Sequence, residues 1–204
     1  MSEHRLQIGV MGSWRKGLPK WSYDLAEEVG RQIAQKGYIL LSGGSTGVME
    51  YAMKGCKSAN GVNVGIIPAS DFRKYPYLGE HLDIKISTGM DESGRIPLLI
   101  NCCDGVVAIG GGIGTLTEIC HAYHQGKPVV VMKNSGNVSN QLSSLLDSEG
   151  YLDTKKLVKI RMIETSSGHL KDIAANALDT LVEEINKKEG RDSNKYSPEC
   201  GKRS

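Results

Sequence analysis

Residues 106–118 read Val-Val-Ala-Ile-Gly-Gly-Gly-Ile-Gly-Thr-Leu-Thr-Glu. The short β-branched run fits a buried strand, and it stops at three consecutive glycines. A helical spacing follows, with Leu116, Ile119, Cys120 and Tyr123 on one side. The segment therefore predicts a strand, a tight turn and a helix N-terminus in direct succession. Glycines there let the backbone come close to a ligand. The unpaired amides and positive dipole end of such a helix favour an anion, typically a phosphate. The bland alternative for the same residues is a tight strand–helix connection with nothing bound.

Two other predicted strands end in the same way. Residues 5–12 form a first strand ending in Gly12-Ser13. Residues 38–42 form a second, ending in Ser42-Gly43-Gly44-Ser45-Thr46-Gly47. Further strands are predicted at 62–68, 82–87, 105–109, 128–132 and, as an edge, 157–163. Helical patterns cover 22–36, 48–58, 96–102, the stretch from the glycine turn to about 125, 141–146 and 170–187. Residues 69–80 read as an irregular loop, a candidate lid. Strands alternating with helices imply right-handed βαβ units. The fold class is α/β, a Rossmann-like three-layer α/β/α arrangement around a mostly parallel central sheet. Residues 1–188 are expected to form one nucleotide-binding domain, and the polar residues 189–204 a disordered tail. Ligands in such sheets sit at the carboxyl ends of the strands, where Gly12-Ser13, Gly43-Gly44-Gly47 and Gly110-Gly111-Gly112 would converge. The stretches 43–50 and 111–118 both begin Gly-Gly and end in Glu.

Composition narrows the functions. The 25 basic and 23 acidic residues leave a net charge of +2 and are well mixed, so no nucleic-acid or membrane surface is expected. No apolar run reaches the roughly 18 residues that suggest a membrane span. The polar residues 1–5 run straight into a strand, so no signal peptide is expected. The 5 cysteines are odd in number and form no C-x-x-C pair, which fits buried free thiols in a reducing cytoplasm. No P-loop is present, and no G-x-G-x-x-G with its ribose-binding acid. No lysine has a recognisable Schiff-base context, which disfavours a pyridoxal-phosphate enzyme.

Three residues carry candidate chemistry. Thr115 and Glu118 lie three apart in a first helical turn, the spacing of a capping box. The same spacing would place a carboxylate beside a ribose, where it could stabilise an oxocarbenium ion. Arg95 precedes an apolar helix; it is either a solvated N-terminal charge or a fixed cation for an anionic ligand. Trp14, Arg15 and Lys16 could flank a ligand or be ordinary loop residues. Cys120, His121 and His124 lack a second convergent pair, so no metal is expected.

The run Gly-Gly-Ile-Gly-Thr-Leu-Thr-Glu (111–118), with Arg95 lying 23 positions before Glu118, resembles the signature of the Lonely Guy family. Its members are cytokinin riboside 5′-monophosphate phosphoribohydrolases, with relatives labelled "lysine decarboxylase-like". Gly12-Ser13 and residues 42–49 resemble the family's first and second loops, and Thr88-Gly89-Met90 the segment entering the arginine. Three features depart from it. Gly110 replaces a proline, Ile96 replaces a lysine, and residues 73–77 have no counterpart. These point to a sister branch within a superfamily that also contains molybdenum-cofactor carriers. The resemblance implies Arg95 and Glu118 as catalytic residues. It implies phosphate binding by Gly12, Ser13, Gly43, Gly44, Gly47, Gly110, Gly111, Gly112, Gly114 and Thr115. It further implies a nucleoside monophosphate or related phosphate compound as ligand, no cofactor, and a homodimer or higher homo-oligomer. The implied activity is N-glycosidic hydrolysis; the alternative is a carrier that binds a nucleotide or molybdopterin without turnover.

Overall fold

The chain is described from a computed structural model covering residues 5–15 and 17–192. Among these residues the strands are β1 (Gln7–Gly12), β2 (Ile39–Ser42), β3 (Val62–Ile67), β4 (Ile84–Ser87), β5 (Gly105–Ile109), β6 (Val129–Met132) and β7 (Ile160–Ile163). The helices are α1 (Lys20–Gln35), α2 (Val48–Ser58), α3 (Arg95–Asn101), α4 (Ile113–His124), α5 (Val138–Gln141) and α6 (Leu170–Asp192). The strands join in one sheet in the order β4-β3-β2-β1-β5-β6-β7. Every adjacent pair is parallel.

A parallel sheet needs cover on both faces, so its inner strands are predominantly apolar. β5 and β6 are buried at every position. Alternate side chains divide between two cores. Val107, Ile109, Val130 and Met132 pack with α1, α2 and α6. Val106, Ala108, Val129 and Val131 pack with α3 and α4 on the other face. The Rossmann-like α/β arrangement is thus present, with every pairing parallel. The order reverses at the centre: from β1 the chain moves toward β2, from β5 toward β6. Gly12 and Ile109 are register partners where the two halves diverge.

Several boundaries differ from the sequence reading. α4 begins at Ile113, ahead of Thr115, because glycine is tolerated in a first turn exposed to solvent. The helix expected at 141–146 is one α turn, Val138–Gln141, tightening into a 3-10 turn at Leu142–Leu145. Leu82 is not part of β4 but turns into the core. α6 runs to Asp192, past the expected end at 187, and takes in the start of the expected tail. Residues 193–204, where disorder was expected, lie outside the described residues. The cysteines also divide: Cys56 and Cys103 are buried, whereas Cys120 is exposed. Burial pushes the Cys56 thiol up to about 11. No helix among the described residues is long and apolar enough to cross a membrane.

α1 and α2 approach at backbone distance. A Cβ on Gly30 would lie 1.9 Å from the Ala52 carbonyl oxygen, and one on Gly55 would lie 1.8 Å from that of Glu27. Neither obstacle is a flexible side chain, so the helices would have to separate. Gly30→Ala and Gly55→Ala should each destabilise the fold by about 1–3 kcal/mol, read as a lower urea midpoint. Unchanged midpoints would show that the two helices are not so closely packed.

Candidate functional site

The divergence of β1 and β5 opens a crevice at their carboxyl ends, the place where open α/β sheets take ligands. A cavity of about 640 Å³ occupies it. Gly12, Ser13, Trp14 and Arg15 line it from the end of β1, and Arg95 and Ile96 from the start of α3. Gly112, Ile113, Gly114, Thr115 and Glu118 line it from α4, and Asn137 from the loop after β6.

Of the residues expected from sequence, Gly12, Ser13, Arg95, Gly112, Gly114, Thr115 and Glu118 therefore meet at one cavity. Gly43, Gly44, Gly47, Gly110 and Gly111 do not line it. A Cβ on Gly43 would lie 2.3 Å from Arg95 Nη2, so that glycine makes room for the guanidinium. Gly47 makes room for the Ser13 carbonyl, 2.1 Å from where its Cβ would be, and Gly44 for Ile67. Gly110 and Gly111 have φ of +59° and +93°, a region that side-chain-bearing residues avoid. The Gly110 amide donates to Ser135 Oγ at 2.7 Å, and its carbonyl accepts from Ser139 Oγ at 2.8 Å. The phosphate contact expected of that amide is therefore already taken by a serine. Ser135 and Ser139 went unnoticed in the sequence; the only signal was a run of small polar residues just beyond a strand end.

Gly112 and Gly114 differ from these five. Their φ values are not positive, and a Cβ on either would meet nothing within 4 Å. Nothing in the protein itself demands glycine there; the free space belongs to the cavity. Gly112 is the N-cap of α4 and the first helical bond runs from the Leu116 amide to its carbonyl, at 3.0 Å. The amides of Ile113, Gly114 and Thr115 thus have no intrahelical acceptor. Because the cap is Gly112, Thr115 is an interior first-turn residue and the capping-box alternative for Thr115 and Glu118 does not apply.

Glu118 and Arg95 face each other, Oε1 to Nη1 at 3.2 Å, with side chains 6% and 10% exposed. The solvated-charge alternative for Arg95 therefore does not hold. Burial pushes the Glu118 carboxyl above the usual carboxylate range, and the Arg95 cation pulls it back part of the way. Arg95 Nε is buried and has no hydrogen-bond partner. The cavity thus offers a turn of unpaired amides to an anion, with the Arg95–Glu118 pair on its wall. Cys120 and His124 are exposed, and no group of three or more metal-ligating side chains occurs among the described residues.

The 69–80 segment is tied down at its far end. Thr46 N donates to the Tyr77 carbonyl at 3.0 Å and Gly79 N to the Gly44 carbonyl at 2.9 Å. His81 Nδ1 hydrogen-bonds Glu50 Oε1. Residues 77–79 are therefore a fixed flank of the second glycine loop, not part of a freely swinging lid.

Known proteins resemble this chain in sequence and fold. An uncharacterized protein from Archaeoglobus fulgidus is 38% identical over 128 residues, 63% of this chain and 80% of that protein. The cytokinin riboside 5′-monophosphate phosphoribohydrolase of Mycobacterium tuberculosis is 27% identical over 163 residues, 74% of this chain and 84% of that enzyme. Among solved structures, the structural-genomics target TM1055 superposes with a TM-score of 0.74 at 31% identity, covering 87% of this chain and 98% of the target. The molybdenum cofactor binding protein of Rippkaea orientalis gives 0.68 at 29% identity, covering 89% and 99%. DNA processing protein A from Helicobacter pylori, at 20% identity and 0.58 over 86% and 81%, shares the fold alone. The model of the SLOG cluster4 family matches residues 5–166, from the first strand past the last and with the whole cavity wall included, and the chain belongs to that family.

Proposed function

We propose that the chain binds a nucleoside 5′-monophosphate in the switch-point cavity and hydrolyses its N-glycosidic bond. The observation that carries this reading is the buried Arg95–Glu118 pair, which lines the same cavity as the free first-turn amides of α4. A site that only held phosphate would gain nothing from a buried carboxylate, because like charges repel. A carboxylate does help a reaction that builds positive charge. As the bond from C1′ to the base nitrogen breaks, C1′ becomes oxocarbenium-like, and Glu118 stabilises it and accepts a hydrogen bond from the attacking water. The water oxygen bonds to C1′, and its proton ends on the departing base. The α4 amides hold the 5′-phosphate, and Arg95 keeps its charge oriented. The products are free base and ribose 5-phosphate, as the name of the mycobacterial relative implies. In a homo-oligomer, Ile113, 79% exposed at the cavity rim, is an apolar side chain that assembly would cover.

A second reading is a carrier without turnover. Ile96 lines the cavity where the phosphoribohydrolase pattern has a cation, and a molybdenum cofactor binding protein has this fold at similar identity. The same amides would then hold the phosphate of a pterin.

Three measurements bear on this. Incubation with AMP or N6-substituted AMP should release free base, and Glu118→Gln and Arg95→Ala should each lower the rate at least 100-fold. Tight binding with no base released from any monophosphate would favour the carrier. Because burial raises the Glu118 carboxyl, the active carboxylate is lost as pH falls, and at higher pH than for an exposed glutamate. The acid limb of kcat/KM should accordingly lie above the value of an ordinary glutamate, about 4.3, and vanish in Glu118→Gln if any activity remains. Gly43→Ala should push the Arg95 guanidinium aside; activity should drop at least 10-fold, and the urea midpoint should fall as well, because the buried Glu118 carboxylate loses its cation.

A further inference from the structure

Trp14 leaves β1 directly after Ser13 and lines the cavity, yet it is only half-buried. Its backbone is fixed: its carbonyl accepts from Thr46 Oγ1 at 2.8 Å, and the Ser13 carbonyl before it accepts from Val48 N at 2.9 Å. Thr46 also donates its amide to the Tyr77 carbonyl at 3.0 Å. One residue thus pins two separate loops, and the pinning brings the Trp14 and Tyr77 rings to 4.5 Å between centroids, tilted by 46°. Tyr75 backs Tyr77 edge-on at 5.9 Å. Tyr77 is 39% exposed, so the group is not hidden as core. The guanidinium carbon of exposed Arg15 lies over the indole, 4.9 Å from its centroid. A flat, delocalised group therefore already fits on a face of Trp14, and a side chain at the surface can give up that place at little cost.

We propose that Trp14, held against Tyr77 by Thr46, is the platform on which the planar nitrogen heterocycle of the ligand stacks. Aromatic stacking discriminates little between such rings but strongly favours having one. The proposal rests on the ligand's phosphate occupying the α4 N-terminus, as above. With the phosphate fixed there and the ring on Trp14, the sugar or linker between them spans the Arg95–Glu118 pair. A cavity of about 640 Å³ suits a ligand of that size. Purine nucleotides and pterin phosphates both carry such a ring, and Thr46 acts as a positioning residue for it.

The test uses the full chain with Trp21→Phe, which leaves Trp14 as the sole tryptophan. AMP, neopterin monophosphate and ribose 5-phosphate are titrated while Trp14 fluorescence is read immediately on mixing; affinities, including those of the Trp14 variants, are read by calorimetry, and ribose 5-phosphate also by competition. Saturable quenching by AMP or the pterin, and none by ribose 5-phosphate, is expected, the tighter of the two rings naming the source. Trp14→Ala should weaken AMP at least 10-fold and leave ribose 5-phosphate unchanged, whereas Trp14→Phe should keep most of the affinity. Thr46→Val should weaken AMP without altering ribose 5-phosphate, a split that mere loss of stability would not give. If AMP binds in competition with ribose 5-phosphate but Trp14 is silent and Trp14→Ala is harmless, the platform is wrong and the phosphate site stands. If neither AMP nor ribose 5-phosphate binds, the platform and the reading it rests on fail together.

Discussion

Placing Glu118 out of water is the constraint around which the cavity is built. A buried carboxylate is costly unless a cation and further hydrogen bonds compensate it, and the compensation is seldom complete. Here it is visibly incomplete. Arg95 reaches one oxygen at 3.2 Å, its own Nε is left without a partner, and the carboxyl stays above its ordinary range. A hydrophobic pair of similar volume would serve the fold at least as well. The two charges instead form an incompletely compensated pair on the wall of an open cavity, which is what a ligand can complete.

The architecture delivers that pair through backbone, not through loops free to adjust. α3 begins at Arg95 itself, and Glu118 sits in the second turn of α4, whose N-terminus is anchored by the serines behind Gly110. Gly43 supplies the gap in which the guanidinium lies. The glycines thus divide into two kinds. Gly110 and Gly111 shape the turn and Gly43 and Gly47 permit close packing, whereas Gly112 and Gly114 leave open volume. Only the second kind leaves space at the cavity itself.

The sequence made the sheet readable because its strands are short apolar runs, three of them cut off by glycine, and each such run became a parallel strand. It placed Arg95 and Glu118 together because their spacing carries a family signature; periodicity alone left each with a bland alternative. It could not sort the glycines, since a glycine that relieves a clash and one that leaves room for a ligand look the same in one dimension. Nor could it show that Thr46 ties residue 14 to residue 77. Such a contact depends on where the β3–β4 connection returns, and irregular chain has no period to read. The pairing of Glu50 with His81 was hidden for the same reason, although the Gly-Gly to Glu spacing at 43–50 had set that glutamate apart.

The cavity's walls come from both sides of the point where the strand order reverses: the end of β1 and the loop after it on one side, the start of α4 and the loop after β6 on the other. Covalent connection between those walls is long and indirect, and their strands meet along the β1–β5 seam. A small molecule touching Ser13 and Gly114 at once would serve as a clasp across that seam. Occupancy would then reach beyond the crevice, slowing amide exchange on both flanks together and coupling the local opening of one half to that of the other.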